Sequence, residues 1–155
     1  MKVRLAKDIA APANITFDVF TDLNKAQDRI DGITRLEILS EQSHGVGTRW
    51  RETRLMFGRE ATEEMEISAF EPNHSYEVVA SSHGANYHTI YTFTEVDGGT
   101  RVEMVFTGTP VSLVAKLMAP LGFLFQGSTR TALDADMDNL KAVCEQMAAG
   151  QDVQA

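Results

Sequence analysis

The alternation of apolar and polar positions changes period twice along the chain. Residues 2–9 alternate strictly, with Val3, Leu5 and Ile9 on one face, which predicts a strand. Ala11-Pro12-Ala13-Asn14 interrupts it. Asn14 is the expected N-cap of a short helix whose apolar side carries Ile15, Val19 and Phe20. Residues 25–30 are expected to add a second helical turn. From Gly32 the period becomes two and stays so for about 75 residues. Strands are predicted at 34–39, 48–56, 59–70, 75–81, 86–96 and 100–107. The breaks between them carry turn chemistry: His44-Gly45-Val46-Gly47, Phe57-Gly58, Glu71-Pro72-Asn73 and Asp97-Gly98-Gly99. Connections this short join antiparallel neighbours. After Pro110 the helical period returns. Leu113, Leu117, Leu121, Leu124 and Phe125 share one side of a piece that Pro120 and Gly122 must kink. Residues 128–148 predict a long amphipathic helix with Ala132 or Leu133, Met137, Leu140, Val143 or Cys144, and Met147 on its stripe. Asp134, Asp136 and Asp138 are placed largely away from that stripe.

Two hairpin registers sort inside from outside. An even-length turn at Phe57-Gly58 pairs Trp50 with Met65, Thr48 with Ile67 and Arg54 with Ala61 on one face. The same register sets Arg49 opposite Glu66 and Arg51 opposite Glu64 on the other face. A one-residue slip would break both the apolar and the charge pairing. Around Asp97-Gly98-Gly99 either two-residue turn leaves the same inward set, Tyr87, Thr89, Tyr91, Phe93, Val102, Met104 and Phe106, and weaker alternation adds Tyr76, Val78 and Ala80. A helix ~10 Å across covers only part of so wide a face. The sheet must either flatten against other chains or curl around the helix and leave a cavity, with 111–125 as the lid at its mouth. The expected fold is α+β: a curved antiparallel sheet of six or seven strands wrapped around a long C-terminal helix, with two short helices after the first strand. One domain spanning 1–149 and a frayed tail at 150–155 account for the chain.

Composition narrows the function classes. Hydrophobic residues make up 43% and the net charge is −8, a balance that disfavours nucleic acid or an anionic membrane surface as partner. The single cysteine, Cys144, excludes an intrachain disulfide. The four histidines show no metal-binding spacing, and neither a metal nor another cofactor is expected. No signal-peptide pattern opens the chain, and 111–125 is shorter than the ~20 residues of a membrane span. The expectation is a soluble cytoplasmic protein without membrane insertion.

The order of elements resembles the START-like, or SRPBCC, superfamily with its helix-grip fold, and most of all its polyketide cyclase/dehydrase-like branch. The resemblance is carried by Ile9-Ala10-Ala11-Pro12 running into Val19-Phe20-Thr21-Asp22, by Gly47-Thr48-Arg49-Trp50, by Gly99-Thr100-Arg101-Val102 and by Asp138-Asn139-Leu140-Lys141. It implies a cavity for a hydrophobic or amphipathic small molecule, lipid-like or polyketide-like. Members of the superfamily include cyclases, lipid or quinone carriers and proteins that only bind partners, so the fold does not choose among these.

Candidate chemistry lies on the inner face. The register places Glu52 opposite Glu63, with Arg54 one inward step beyond Glu52. Two carboxylates forced together out of water should raise one pKa, as general acid–base catalysis requires. Arg54 would instead neutralise the pair or clamp a ligand carboxylate or enolate; alternatively all three form a solvated network near the sheet edge. Expected ligand contacts are Trp50, Met65, Tyr76, Val78, Tyr87, Tyr91, Met104, Phe106, Leu117, Leu121, Phe125, Leu133 and Met137. Three functions stay open: a binding or carrier protein, a cyclase or dehydratase using Glu52, Glu63, Arg54 and the tyrosines, or a protein-interaction module. An exposed 117–125 lid would offer a homodimer contact.

Overall fold

The computed structural model describes residues 1–56 and 58–154. β1 (Lys2–Ile9) leads into α1 (Ala13–Thr21) and α2 (Leu23–Arg29). Then come β2 (Ile33–Ile38), β3 (Arg49–Met56), β4 (Arg59–Glu71), β5 (Ser75–Ser82), β6 (Ala85–Val96) and β7 (Gly99–Pro110). α3 (Leu113–Met118), a 3₁₀ turn (Ala119–Leu121) and α4 (Phe123–Gln154) close the chain. The seven strands form one antiparallel sheet in the order β1-β7-β6-β5-β4-β3-β2. No helix among the described residues is long and apolar enough to cross a membrane.

The expected registers are present. Trp50 faces Met65, Glu52 faces Glu63 and Arg54 faces Ala61, while Arg49–Glu66 and Arg51–Glu64 meet on the outer face. The Thr48 carbonyl accepts from the Ile67 N–H at 2.9 Å, next to those pairs. Met56 pairs with Arg59, and Gly58 in the turn supplies a positive φ of 76°. Phe57, also placed in that turn by the sequence, lies outside the described residues. Tyr91–Met104 and Phe93–Val102 pair across β6 and β7. A register shift between Ile67 and Ala69 interrupts the β4–β5 ladder, the kind of irregularity that bends a strand and increases its twist.

Helix ends differ from the sequence reading. α1 starts after Pro12, whose fixed φ (−66°) sets up the first turn, so Asn14 lies inside the helix and caps nothing. α4 begins at Phe123 rather than at 128 and continues to Gln154, past Gly150. Its 32 residues make a rod about 48 Å long.

α4 runs beside the edge strand β1 and bonds to it along its length. Gln126 Nε2 donates to the Lys2 carbonyl at 3.1 Å and Arg130 Nη1 to the Arg4 carbonyl at 3.0 Å. Lys7 Nζ reaches Asp134 at 2.8 Å and Asp138 at 2.9 Å, and the Ala10 N–H donates to Glu145 at 2.9 Å. On the other flank Asn139 Oδ1 accepts from the Asp31 N–H at 3.0 Å, just before β2. Both margins of the sheet are thus tied to one helix, which requires the sheet to curl. The closed end of this roll is packed solid. Phe17 sits edge-on to Phe70 and Phe93 at 5.1 Å each and to Tyr76 at 6.0 Å, with Val102, Met104, Met137 and Cys144 filling in around them.

Two glycines give a paired test of this packing. A Cβ on Gly99 would lie 1.9 Å from the Ile9 carbonyl, a backbone atom that cannot rotate away, whereas one on Gly127 in α4 would meet nothing. Gly99→Ala is expected to destabilise by about 2 kcal/mol or more through the β1–β7 seam. Gly127→Ala is expected to stabilise by up to about 1 kcal/mol through helix propensity. Urea titration of Trp50 fluorescence checks both.

Candidate functional site

The other end of the inner face is open. A cavity of about 710 Å³ lies between β3–β6 and the N-terminal half of α4. Alternate residues of each strand line it, as a period of two requires: Trp50, Glu52 and Arg54 from β3, Glu63, Met65 and Ile67 from β4, Tyr76, Val78 and Ala80 from β5, and Tyr87, Thr89 and Tyr91 from β6. α4 presents Phe125, Ser128, Thr129, Ala132, Leu133, Asp136, Met137 and Leu140, one face at spacings of three and four.

Ten of the thirteen expected ligand contacts border this space: Trp50, Met65, Tyr76, Val78, Tyr87, Tyr91, Phe106, Phe125, Leu133 and Met137. Three do not. Met104 pairs with Leu5 and Tyr91 in the packed end and has no exposed surface. Leu117 is 80% exposed and Leu121 is also exposed. The break at Pro120 and Gly122 separates their segment from α4, so that of the proposed lid only Gly122 and Phe125 reach the mouth. Leu113, Val114, Leu117, Met118, Phe123 and Leu124 instead face outward around it.

The polar centre differs from the expected carboxylate pair. Glu52 and Glu63 are partners in register, yet their side chains serve different groups. Glu52, 6% exposed, accepts from Arg54 Nε at 2.6 Å, and Glu63 accepts from the Ser82 hydroxyl at 2.9 Å. Arg54 turns its two terminal nitrogens to Asp136 on α4, at 3.0 and 2.7 Å. This fork-on-carboxylate contact links β3 to α4 across the cavity. Asp136 is the residue that the sequence reading misplaced. It lies three residues after Leu133 and four before Leu140, at the margin of the apolar stripe, and that spacing was the available signal. His83, in the turn between β5 and β6 with a φ of +50°, also reaches the cavity.

The electrostatics follow from burial. Burial opposes the Arg54 cation, but its hydrogen bonds to Asp136 and the charge of Glu52 outweigh this and hold the guanidinium protonated more firmly than usual. For Asp136 burial dominates, and Glu52 adds to it; the adjacent guanidinium only partly offsets them, so the carboxyl is pushed above its ordinary range. Tyr76 and Tyr91 stack at 4.6 Å with their planes 7° apart. Burial pushes both phenols up, with the charges of Asp136 and Glu52 adding to the effect at Tyr91. Tyr87 is raised by burial and then by Glu63. All three remain neutral phenols near pH 7, able to donate and accept hydrogen bonds but not to act as resident bases.

Removing Arg54 should leave two buried carboxylates without a counter-charge. Arg54→Met is expected to cost about 3 kcal/mol at pH 7 and to recover part of this as the carboxyls protonate on acidification. For Asp136 the folded pKa is raised, so its contribution to stability is complete below the ordinary value of about 4 and is lost as pH rises through the folded value. The Tm of Asp136→Asn relative to the parent should therefore move in the variant's favour from pH 4 upward. Thermal melts across pH 4–8 read both effects.

The sequence pattern of the family described as "Polyketide cyclase / dehydrase and lipid transport" matches residues 1–145. No curated protein matches the chain. Among solved structures it is similar to TTHA0849 from Thermus thermophilus, with a TM-score of 0.69 at 19% identity over 92% of this chain and 99% of that one. It is similar to Ara h 8.0201, with a TM-score of 0.68 at 14% identity over 92% and 98% of the two chains. The di-domain ARO/CYC StfQ from the steffimycin biosynthetic pathway aligns with a TM-score of 0.80 at 14% identity, over 96% of this chain and 52% of StfQ. The chain thus spans about half of StfQ, and these identities establish the shared helix-grip fold alone. The family pattern covers nearly the whole chain: this protein belongs to the polyketide cyclase/dehydrase and lipid-transport family.

Proposed function

We propose that this protein binds a hydrophobic or amphipathic small molecule, lipid-like or polyketide-like, in the cavity between the sheet and α4. The observation that carries the reading is the cavity itself. Its volume of about 710 Å³ falls within the range of roughly 300–1,000 Å³ common for ligand sites, and its walls are mainly aromatic and aliphatic with a few convergent polar groups. Side chains leave this apolar space unfilled, so its walls forgo dispersion contacts with other protein atoms. The ordinary solution is to fill it with side chains, as at the Phe17 end. The reading takes the protein as a cytoplasmic carrier or receptor.

A second reading, acid–base chemistry of the cyclase or dehydratase type, is favoured by one observation. Asp136 presents a carboxyl with a raised pKa at the cavity wall, close enough to Tyr91 for its charge to raise that phenol. In this reading Asp136 takes the proton-carrying role expected of the Glu52–Glu63 pair, and Arg54, itself held by Glu52, keeps it in place. The ARO/CYC designation of StfQ supports considering this chemistry and does not assign it.

Native mass spectrometry of the purified protein, followed by organic extraction, tests the first reading, with a co-purifying small molecule as the expected result. In parallel, the neutral dye Nile red should bind the parent protein with enhanced emission. Ala80→Phe, which puts a ring into the cavity from β5, should weaken that binding by about tenfold or more with little change in Tm. Equal dye binding by parent and variant would reject the cavity as the site. A bound ligand released lighter by one water from the parent but intact from Asp136→Asn would favour the second reading over carriage.

A further inference from the structure

The cavity contains three carboxylates and one guanidinium: Glu52, Glu63, Asp136 and Arg54. Arg54 gives Nε to Glu52 and one N–H of each terminal nitrogen to Asp136, so two carboxylates already match its single charge. Among the described residues the remaining basic side chain on the wall is His83, and no lysine lies there. An anionic headgroup entering this space would meet three carboxylates and one guanidinium that two of them already share. A ligand carboxylate or enolate clamped by Arg54 would have to share the guanidinium with Glu52 and Asp136.

The same groups suit the opposite chemistry. An ionised carboxylate accepts hydrogen bonds and donates none, and each offers several lone-pair directions. Glu63 uses one of these for the Ser82 hydroxyl and stands beside Tyr87, whose phenol its charge raises. The rings of Trp50, Tyr76, Tyr91 and Phe20 complete the walls, and an aromatic face that a ligand reaches attracts a cation. We infer that the cavity selects apolar molecules whose polar end donates hydrogen bonds, a hydroxyl or an amine, and discriminates against those ending in a carboxylate. This rests on the binding reading above and narrows its ligand class.

The test is a matched twelve-carbon series, dodecylamine, 1-dodecanol and dodecanoate, competing with Nile red at pH 7.5 below their aggregation limits. The amine and the alcohol should displace the dye at concentrations about tenfold or more below that needed for dodecanoate. Glu63→Gln, which keeps the shape and removes one charge, should narrow the gap between dodecanoate and the amine. Dodecanoate competing as well as the amine would overturn the selectivity while leaving the cavity as a binding site. Failure of Nile red itself to bind would instead reject the binding reading. The parent-protein comparison stands without the variant if Glu63→Gln folds poorly.

Discussion

The width of the sheet against the width of one helix governs this molecule. Seven strands at about 4.8 Å spacing make a surface roughly 29 Å across, while an α-helix covers about 10 Å. Held flat, the inner face would leave most of its apolar side chains wet. The chain instead ties both margins to α4, by the Lys2, Arg4 and Lys7 contacts on β1 and by the Asp31–Asn139 contact before β2. α1 then plugs one end of the resulting roll with Phe17 and Phe20. Among the described residues no comparable plug enters the other end, and the cavity is what remains.

Arg54 and its two carboxylates make sense within that geometry. Replacing such a buried network by apolar residues of equal volume is often neutral or stabilising, so stability alone is a weak account of it. What the network supplies is position. Arg54 holds the middle of α4 at a set distance from β3 where few apolar contacts span the gap, and it fixes which turn of α4 faces the cavity. A helix resting on β1 alone would be free to roll. The fork of two parallel hydrogen bonds resists that rotation in a way that a point-charge lysine would not.

Much of this was legible along the chain, because strand alternation and hairpin turns are local. The pairing of Trp50 with Met65 and the inward placement of Tyr91 and Met104 needed only turn length and the pleat. Where each inward residue ends up was less legible. Met104 and Tyr91 are neighbours on the same face, yet one lies in packed core and the other borders open space, a boundary set by how far α1 reaches. Glu52 and Glu63 were correctly placed opposite one another, but side-chain partners depend on what comes from the far wall. Asp136 arrives there from 82 residues away. Leu117 and Leu121 follow a helical stripe that the fold does not bury. Periodicity records amphipathicity without saying what, if anything, covers the apolar side.

The strand order has a consequence in time. β1 occupies one edge of the sheet, and its partner is β7, with Lys2 set against Thr107. On a ribosome the first strand therefore emerges some hundred residues ahead of the strand that will shelter it, and α4 comes later still. Each strand from β3 to β7 can zip onto the one before it as it appears, whereas β1 must be retained through the longest loop closure in the sheet. Until then Val3, Leu5 and Ile9 stay unshielded on a nascent edge. Synthesis of this protein thus passes through a stage in which most of the hairpins can exist while the roll is still open, and vulnerability to misassociation is concentrated in that interval.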